Sequence, residues 1–97
     1  TDTVPAWLRK AVIARDQHCG FPGCQVPAEY CHVHHIIPRA DGGPTSLQNC
    51  LLGCAFHHLT VVHRWGWQLT LNPDGTKTAV HPRGWRTLHS HAPPTAA

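Results

Sequence analysis

The feature that most constrains this 97-residue chain is the concentration of cysteine and histidine in its middle third. Residues 31–63 hold six of the ten histidines and three of the five cysteines. A chain of this length forms one domain with a modest core, and such domains often add a metal or disulfides. The pattern therefore predicts a single domain whose fold depends on metal binding or disulfide bonding by these side chains.

The cysteine count favours metal binding over disulfides. Five cysteines would leave one thiol unpaired, and cysteine mixed with histidine at short spacings is typical of zinc sites. A disulfide between Cys19 and Cys24, with Cys54 as a core thiol, is the alternative. Because zinc binding through thiols indicates a reducing compartment, we expect a cytoplasmic protein.

The composition limits the range of partners. The net charge of +3 with neutral histidines is mildly basic and fits an anionic partner. No apolar run approaches the roughly 18 residues of a membrane span, so no membrane partner is expected. The chain starts without an initiator methionine or a visible signal peptide, and we expect it to be a module of a longer protein.

Local sequence patterns predict an α+β fold, with one domain over residues 1–91 and a flexible tail over 92–97. Leu8 and Val12 recur at helical spacing after Pro5, which suits a first helical turn. Glycine and proline between Cys19 and Cys24 predict a tight knuckle that presents two thiols. The other expected elements are an N-terminal helix over 5–16, strands over 30–37 and from 50, a loop over 38–45, a helix over 55–62, and a C-terminal hairpin of 68–72 with 76–80.

The first candidate metal site combines the knuckle with the second helix. Cys54 and His57 are expected at the start of that helix, where residues three apart can reach one ion. Together with Cys19 and Cys24 they give four ligands, which suits closed tetrahedral zinc. Cys31 is a fifth candidate, either as a substitute ligand or as a buried residue that supports the site. Cys50 has apolar neighbours and is expected in the core.

The second candidate site uses the other member of each His-His pair. His34 and His35 are adjacent on a predicted strand and should therefore point to opposite faces. His58 lies about 100° around a helix from His57 and can face that strand. One strand histidine can then hold a metal while its neighbour stays free to accept a proton. Asn49 has a side-chain amide that could hold an imidazole in one orientation.

These residues resemble the HNH endonuclease motif, in the zinc-containing form found at the C-terminus of actinobacterial 13E12-repeat (DUF222) proteins. The resemblance covers residues 15–67 and implies a small ββα-metal fold, also called a His-Me finger. In that fold a hairpin and a helix hold one divalent ion against a phosphodiester. The matching segments are His34-His35-Ile36-Ile37-Pro38, Asp41-Gly42-Gly43, Asn49, and Cys54-x-x-His57-His58.

The resemblance also implies residue roles. His34 and His58 match the family's metal ligands, His35 matches the general base, and Asn49 matches the residue that orients it. His63 corresponds to a third metal ligand. The implied function is a metal-dependent DNA endonuclease that hydrolyses phosphodiester bonds of double-stranded DNA with one divalent ion. A zinc-stabilised nucleic-acid-binding module without cleavage activity is the alternative.

The implied cofactors are a structural Zn²⁺ and one catalytic divalent ion. Mg²⁺ and Mn²⁺ accept oxygen ligands, whereas an imidazole-rich site suits Zn²⁺, Ni²⁺, Co²⁺ or Mn²⁺ better. His63 follows His58 by five residues, which corresponds to about 140° of rotation in a regular α-helix. Such a helix would turn His63 away from the ion, whereas a π-bulge could bring it back. His32 shares a strand face with His34.

The sequence indicates less about contacts with DNA than about the metal sites. Arg39 and Arg64 are the candidate phosphate-binding residues of the DNA-binding surface. The basic residues of the first helix, Arg9, Lys10 and Arg15, are further candidates, although a solvated face also explains them. Three tryptophans are expected in the core, with base stacking as the alternative: Trp65, Trp67 and Trp85. Three histidines outside the motif are expected at the surface: His81, His89 and His91.

Overall fold

The computed structural model describes residues 4–90, and it has the α+β architecture predicted for a ββα-metal domain. The predicted tail over 92–97 and His91 lie outside these residues. Short 3₁₀ turns occur at Ala28–Tyr30, Arg39–Asp41 and Leu47–Asn49. The longer elements are helix α1 (Ala6–Asp16), strands β1 (Cys31–His35) and β2 (Cys50–Cys54), a π-helix (Phe56–Arg64), and strands β3 (Gln68–Leu71), β4 (Lys77–Val80) and β5 (Thr87–His89).

Strands β1 and β2 form the antiparallel hairpin at the centre of the domain. Cys31 pairs with Cys54 at one end of the hairpin, and His35 pairs with Cys50 at the other. The predicted first strand extended to residue 37, but β1 ends at His35. It is shorter because the Asn49 side chain takes both backbone groups of Ile37 and removes them from strand pairing.

Cys54 is the last residue of β2 and not part of the second helix, so the expected helix start at Gly53 and Cys54 was wrong. Both residues continue the hairpin register, opposite His32 and Cys31. One ligand of the first candidate site is therefore presented by a strand, and His57 is presented by the first turn of the helix that follows.

The second helix is a π-helix, and this determines the position of His63. The Trp65 N–H donates to the Thr60 carbonyl oxygen at 2.8 Å, a bond that spans five residues. Residues five apart therefore lie one turn apart on one side of the helix, as His58 and His63 do. A rotation of His63 away from the ion would require a regular α-helix, which this segment does not form.

Strand β2 is buried on both of its faces because it separates two small cores. Leu52 and Cys50 face the core under α1, which confirms the expected position of Cys50. Leu51 faces the second core, beneath the C-terminal sheet. The first core comprises Leu8, Val12, Cys19, Ala28, Cys31, Cys50, Leu52 and Cys54, and the second comprises Leu51, Leu69 and Ala79.

The predicted C-terminal hairpin is confirmed as β3 and β4, and a strand that the sequence did not reveal is added to it. Gly75 adopts a φ of 87° in the connecting turn, and its N–H donates to the Asn72 carbonyl oxygen. Strand β5 pairs with β4 after a further turn at residues 81–86. With only three residues, β5 shows too little alternation to be recognised from sequence.

Two tryptophans expected in the core are exposed. Trp65 caps the π-helix with 53% of its surface exposed, and Trp85 lies on the turn before β5 with 67% exposed. Trp67 alone among the three packs against a core cluster. Both exposed rings lie at the end of an element, where no second layer of the domain covers them.

The buried carboxylate of Asp16 joins α1 to the C-terminal sheet. It accepts a hydrogen bond from the Lys77 ammonium of β4 at 2.7 Å and one from the Leu52 N–H at 3.1 Å. Arg15 donates two further bonds to it and also bonds the Leu47 and Cys50 carbonyl oxygens. Arg15 is therefore half-buried and bonded within the domain, so it does not belong to the solvated face that was one of the two explanations for the basic residues of α1.

Burial alone would raise the pKa of the Asp16 carboxyl, but the hydrogen bonds and charges of Arg15 and Lys77 outweigh burial and hold that pKa below its usual range. Asp16 is thus ionised and fully paired at neutral pH. Within residues 4–90, no helix has the length and apolarity that a membrane crossing requires.

We expect Asp16→Asn to lower the free energy of unfolding by about 3 kcal/mol, because it leaves the buried Lys77 ammonium without its counter-charge. Urea denaturation at saturating zinc measures this change. Glu29→Gln is the matched control, since it removes the same charge from an exposed side chain. A loss no larger than that of the control would contradict the importance of this ion cluster.

Candidate metal centres and the adjoining cleft

The four ligands predicted for the first site lie together. The ligand atoms of Cys19, Cys24, Cys54 and His57 are all within 4.8 Å of one another. The Cys54 sulfur lies 3.3 Å from Nδ1 of His57, and the Cys24 and Cys54 sulfurs are 4.0 Å apart. Zinc–sulfur bonds of about 2.3 Å at a tetrahedral angle place sulfurs about 3.8 Å apart, so this cluster can bind a zinc ion.

Local structure holds these ligands in place. The knuckle closes through a hydrogen bond from the Cys24 N–H to the Phe21 carbonyl oxygen, with Gly23 at a φ of 87°. The backbone N–H groups of Phe21 and Cys54 both donate to the Cys19 sulfur, as suits a thiolate. The Phe21 ring stacks on His57 with centroids 4.2 Å apart and planes 5° from parallel.

The protonation chemistry of the buried thiol also fits a metal. Burial, above all, raises the pKa of the Cys19 thiol to about 12. A thiolate there needs a cation, and metal binding supplies one while releasing the proton. Cys31 does not join this cluster, because its sulfur donates to the carbonyl oxygens of Val26 and Pro27. It occupies the buried supporting position that was one of its two expected roles.

The second cluster contains His34, His58 and His63, whose ligand nitrogens also lie within 4.8 Å of one another. The ring centroids of His58 and His63 are 4.8 Å apart, and that of His34 is 5.2 Å from His58. His34 comes from β1 and the other two from the π-helix. The three imidazoles can hold one divalent ion, and their nitrogen atoms favour Zn²⁺, Ni²⁺, Co²⁺ or Mn²⁺ over Mg²⁺.

Gly53 allows the π-helix to lie close to the hairpin at this cluster. A Cβ added at Gly53 would lie 3.1 Å from the Cβ of His58, which is tighter than ordinary packing. The absent side chain therefore lets His58 approach the strand that pairs with β1. His32, opposite Gly53 on β1, lies with its Nδ1 3.1 Å from Nδ1 of His58. A hydrogen bond at this distance fixes the orientation of the His58 ring.

The electrostatics of the second cluster keep its buried imidazoles uncharged. Burial, together with the neighbouring histidines, lowers the pKa of His34 to about 4 and that of His58 to about 4. Both rings are therefore neutral at pH 7. A neutral imidazole offers the lone pair that a metal needs, so His34 and His58 can coordinate an ion without first losing protons.

His35 lies outside the three-histidine cluster. Its Nε2 is 3.1 Å from the Thr45 hydroxyl oxygen, a hydrogen bond that orients the ring. Arg39 also reaches this hydroxyl, with Nη1 3.4 Å away. Sequence reasoning did not identify Thr45, because nothing in the pattern relates a hydroxyl on the Gly-rich loop to a histidine ten residues earlier.

Asn49 acts on the backbone of the loop between β1 and β2. Its Oδ1 accepts a hydrogen bond from the Ile37 N–H at 2.9 Å, and its Nδ2 donates to the Ile37 and Pro44 carbonyl oxygens. A Cβ at Gly43 would overlap the Ile37 carbonyl oxygen and lie 3.0 Å from Nδ2 of Asn49. The amide thus fixes the loop that carries Thr45, and its hydrogen bonds reach His35 only through that loop.

An open cleft with a volume of about 530 Å³ adjoins the second cluster. His34 and His63 contribute to its wall, and so does Asp41, whose carboxylate the sequence indicated only as a loop residue. Neither of the two arginines predicted to contact phosphates is a lining residue: Arg39 lies in the sequence between the lining residues Pro38 and Asp41, and Arg64 follows His63. The lining residues are His34, Ile36, Pro38, Asp41, Val62, His63, Gly66, Trp67, Gln68, Leu69 and Thr70.

Several known proteins are similar to this chain. The uncharacterized protein Rv2100 of Mycobacterium tuberculosis is 42% identical over 79 residues, which are 81% of this chain and 14% of that protein. The uncharacterized protein Rv3776 of the same organism is 39% identical over 79 residues, or 81% of this chain and 15% of the relative. The chain thus spans a small part of the length of these relatives. No solved structure gives a significant match.

A protein-family comparison bears directly on the two metal clusters. Residues 17–64 match the family model described as HNH endonuclease. That range begins just before Cys19 and ends just after His63, so it includes every residue of both clusters. The chain belongs to the HNH endonuclease family.

Proposed function

We propose that this domain is a metal-dependent DNA endonuclease that hydrolyses phosphodiester bonds, with one divalent ion and His35 as general base. The observation that carries this proposal is the separation of His34 from His35. The strand directs His34 into a cluster of three imidazoles, while the next residue stays outside that cluster and bonds Thr45. A binding module with two structural metals would have no use for this division.

The proposed chemistry assigns a separate task to each group. His34, His58 and His63 would hold a divalent ion, which would supply a positive charge to polarise a phosphoryl oxygen and stabilise the leaving oxygen. His35 accepts a proton from the water that attacks phosphorus, as a histidine can at neutral pH. The bond between phosphorus and the 3′ oxygen breaks, and the 3′ oxygen takes a proton from a solvent water, which leaves a 5′-phosphate and a 3′-hydroxyl. Asn49 and Thr45 keep the loop and the His35 ring in place.

Double-stranded DNA is the proposed substrate. Arg39 and Arg64 adjoin cleft-lining residues in the sequence, since Arg39 follows Pro38 and Arg64 follows His63, and this supports them as contacts for the phosphates of a DNA strand in the cleft. Arg9 contributes less, because its guanidinium donates to the Cys31 carbonyl oxygen. A reducing cytoplasm would keep the cysteine ligands as thiols, which supports a cytoplasmic location.

We expect His35→Ala to reduce plasmid nicking by roughly 10²–10⁴-fold, the contribution typical of a general base. The measurement is the rate of conversion of supercoiled to open-circular plasmid with Mg²⁺, Mn²⁺, Ni²⁺ or Co²⁺. His89→Ala is the matched control, because it removes an exposed imidazole of β5 and should leave the rate unchanged.

The same assay separates an enzyme from the alternative, a zinc-stabilised nucleic-acid-binding module. If the unmodified chain binds DNA but never nicks plasmid with any of these ions, the binding module is correct. If His35→Ala nicks as fast as the unmodified chain, His35 is not the base. Zinc content and the unfolding midpoint, measured on each variant, exclude loss of the fold as the cause.

The proposed identity of the first ion is a structural Zn²⁺ held by Cys19, Cys24, Cys54 and His57. We expect Cys24→Ser to lose one zinc per chain and to lower the unfolding temperature, because a closed zinc site contributes directly to folding. Elemental analysis after exhaustive dialysis, followed by thermal unfolding, measures both effects.

Cys31→Ser is the matched control for this experiment. Cys31 is a buried thiol near the cluster, and serine keeps a donor for the Val26 and Pro27 carbonyl oxygens. This variant should retain the zinc. Loss of zinc from Cys31→Ser, with retention by Cys24→Ser, would assign the fourth ligand to Cys31 instead.

A further inference from the structure

We propose that the turn between β4 and β5 is a stacking site for an unpaired nucleobase of the nucleic acid that occupies the cleft. This aromatic turn comprises residues 81–86. The inference rests on the proposed function, since it assumes a nucleic acid at the metal cluster. The aromatic turn lies outside residues 17–64, so the inference goes beyond the segment that matches the HNH family.

The aromatic turn presents a large exposed ring on a fixed support. Trp85 is 67% exposed, although a tryptophan ring in a small domain normally contributes to a core. One side of it rests on His81, with ring centroids 4.1 Å apart and planes tilted by 37°. His81 in turn meets the edge of Trp67 at a centroid distance of 5.2 Å. The rings form a continuous series from the second core to the surface.

Hydrogen bonds hold the aromatic turn in one conformation. The His81 N–H donates to the Arg86 carbonyl oxygen at 2.9 Å, and the Gly84 N–H donates to the His81 carbonyl oxygen at 2.7 Å. The Arg83 N–H donates to Nδ1 of His81 at 3.1 Å, which fixes the ring beneath Trp85. Gly84 supplies the φ of 74° that the turn requires. A ligand stacking on Trp85 would therefore meet a preorganised surface.

The aromatic turn borders the cleft beside the metal cluster. Trp67 and Gly66 line that cleft together with His34 and His63. A Cβ added at Gly66 would lie 3.5 Å from the Pro82 side chain, so the turn packs directly against this wall. A nucleic-acid strand that leaves the cleft on this side would contact the aromatic turn next.

The charge of the aromatic turn matches a phosphate backbone. Arg83 and Arg86 are both exposed on it. Neither of these guanidinium groups forms an ion pair with a carboxylate of residues 4–90. Two free cations beside an exposed indole form the combination that single-stranded nucleic acids bind, with phosphates on the cations and a base on the ring.

The stacking geometry selects an unpaired base. In a duplex both faces of each base are covered by neighbouring base pairs, so an indole can stack only on a base that has left the helix or on a single strand. Such stacking does not depend on which base is present, since every base has an aromatic face. The expected ligand is therefore single-stranded DNA, or a DNA with an unpaired nucleotide near the cleaved bond.

The test measures binding without cleavage. Fluorescence anisotropy with a labelled single-stranded oligonucleotide, and with the duplex of the same sequence, uses the chain loaded with one zinc per chain and no further divalent ion. We expect Trp85→Ala to weaken single-strand binding about tenfold and duplex binding less than twofold, in line with the stacking contribution of one base. Trp85→Phe should keep most of the affinity, because it keeps an aromatic face.

Trp7→Ala is the matched control, because Trp7 of α1 is 66% exposed and lies on an element that does not line the cleft. It should leave both affinities unchanged. The proposal is overturned if Trp85→Ala binds single strands like the unmodified chain, if Trp7→Ala loses as much affinity, or if the unmodified chain does not bind single strands. Zinc content and the unfolding midpoint show that each variant is folded.

This experiment also distinguishes the two proposals from each other. A chain that binds single strands through Trp85 but never nicks DNA would retain the stacking site and lose the nuclease function. A chain that nicks DNA through His35 but binds normally after Trp85→Ala would retain the nuclease and lose the stacking site.

Discussion

The close approach of the π-helix to strand β2 at Gly53 is the contact on which both groups of candidate metal ligands depend. Because Gly53 has no side chain, His58 can lie against the hairpin and reach His34 on the neighbouring strand. The same approach leaves Cys54 and His57 on the knuckle side, where they meet Cys19 and Cys24. A Cβ at Gly53 would lie 3.1 Å from the Cβ of His58, so His58 would have to move away from the hairpin by a few tenths of an ångström. One backbone contact therefore sets the geometry of two centres.

Strand and helix periodicity alone predicted that each His-His pair would divide between two sites, whereas the assignment of His34 and not His35 to the metal followed from the resemblance to HNH endonucleases. Adjacent residues diverge on either element, and this separated His34 from His35 and His57 from His58. The position of His63 could not be predicted in this way. The rotation per residue of a helix depends on which carbonyl oxygen each N–H bonds. In a π-helix that partner is one residue further away than in an α-helix, and this difference brings His63 to the same side as His58.

The other differences between sequence and structure concern side chains whose partners no local pattern specifies. Asp16 reads as an ordinary helix end, because its partner Lys77 is 61 residues away and on an element that no motif connects to it. Asn49 was expected to hold an imidazole, yet the loop that folds around it supplies backbone partners first. Trp65 and Trp85 were expected in the core because tryptophan favours burial, but both cores are already filled by smaller residues on either face of β2.

The C-terminal sheet shows how a segment outside the family motif can still affect the site. Lys77 anchors β4 to Asp16 at the end of α1, and Leu69 and Ala79 pack against Leu51 of β2. These contacts bring Trp67, Gln68 and Thr70 into the wall of the cleft that begins at the metal cluster. The buried ion pair therefore has a consequence beyond stability. It fixes the sheet that completes the cleft, so the shape of the surface open to substrate depends on a charge pair in the interior.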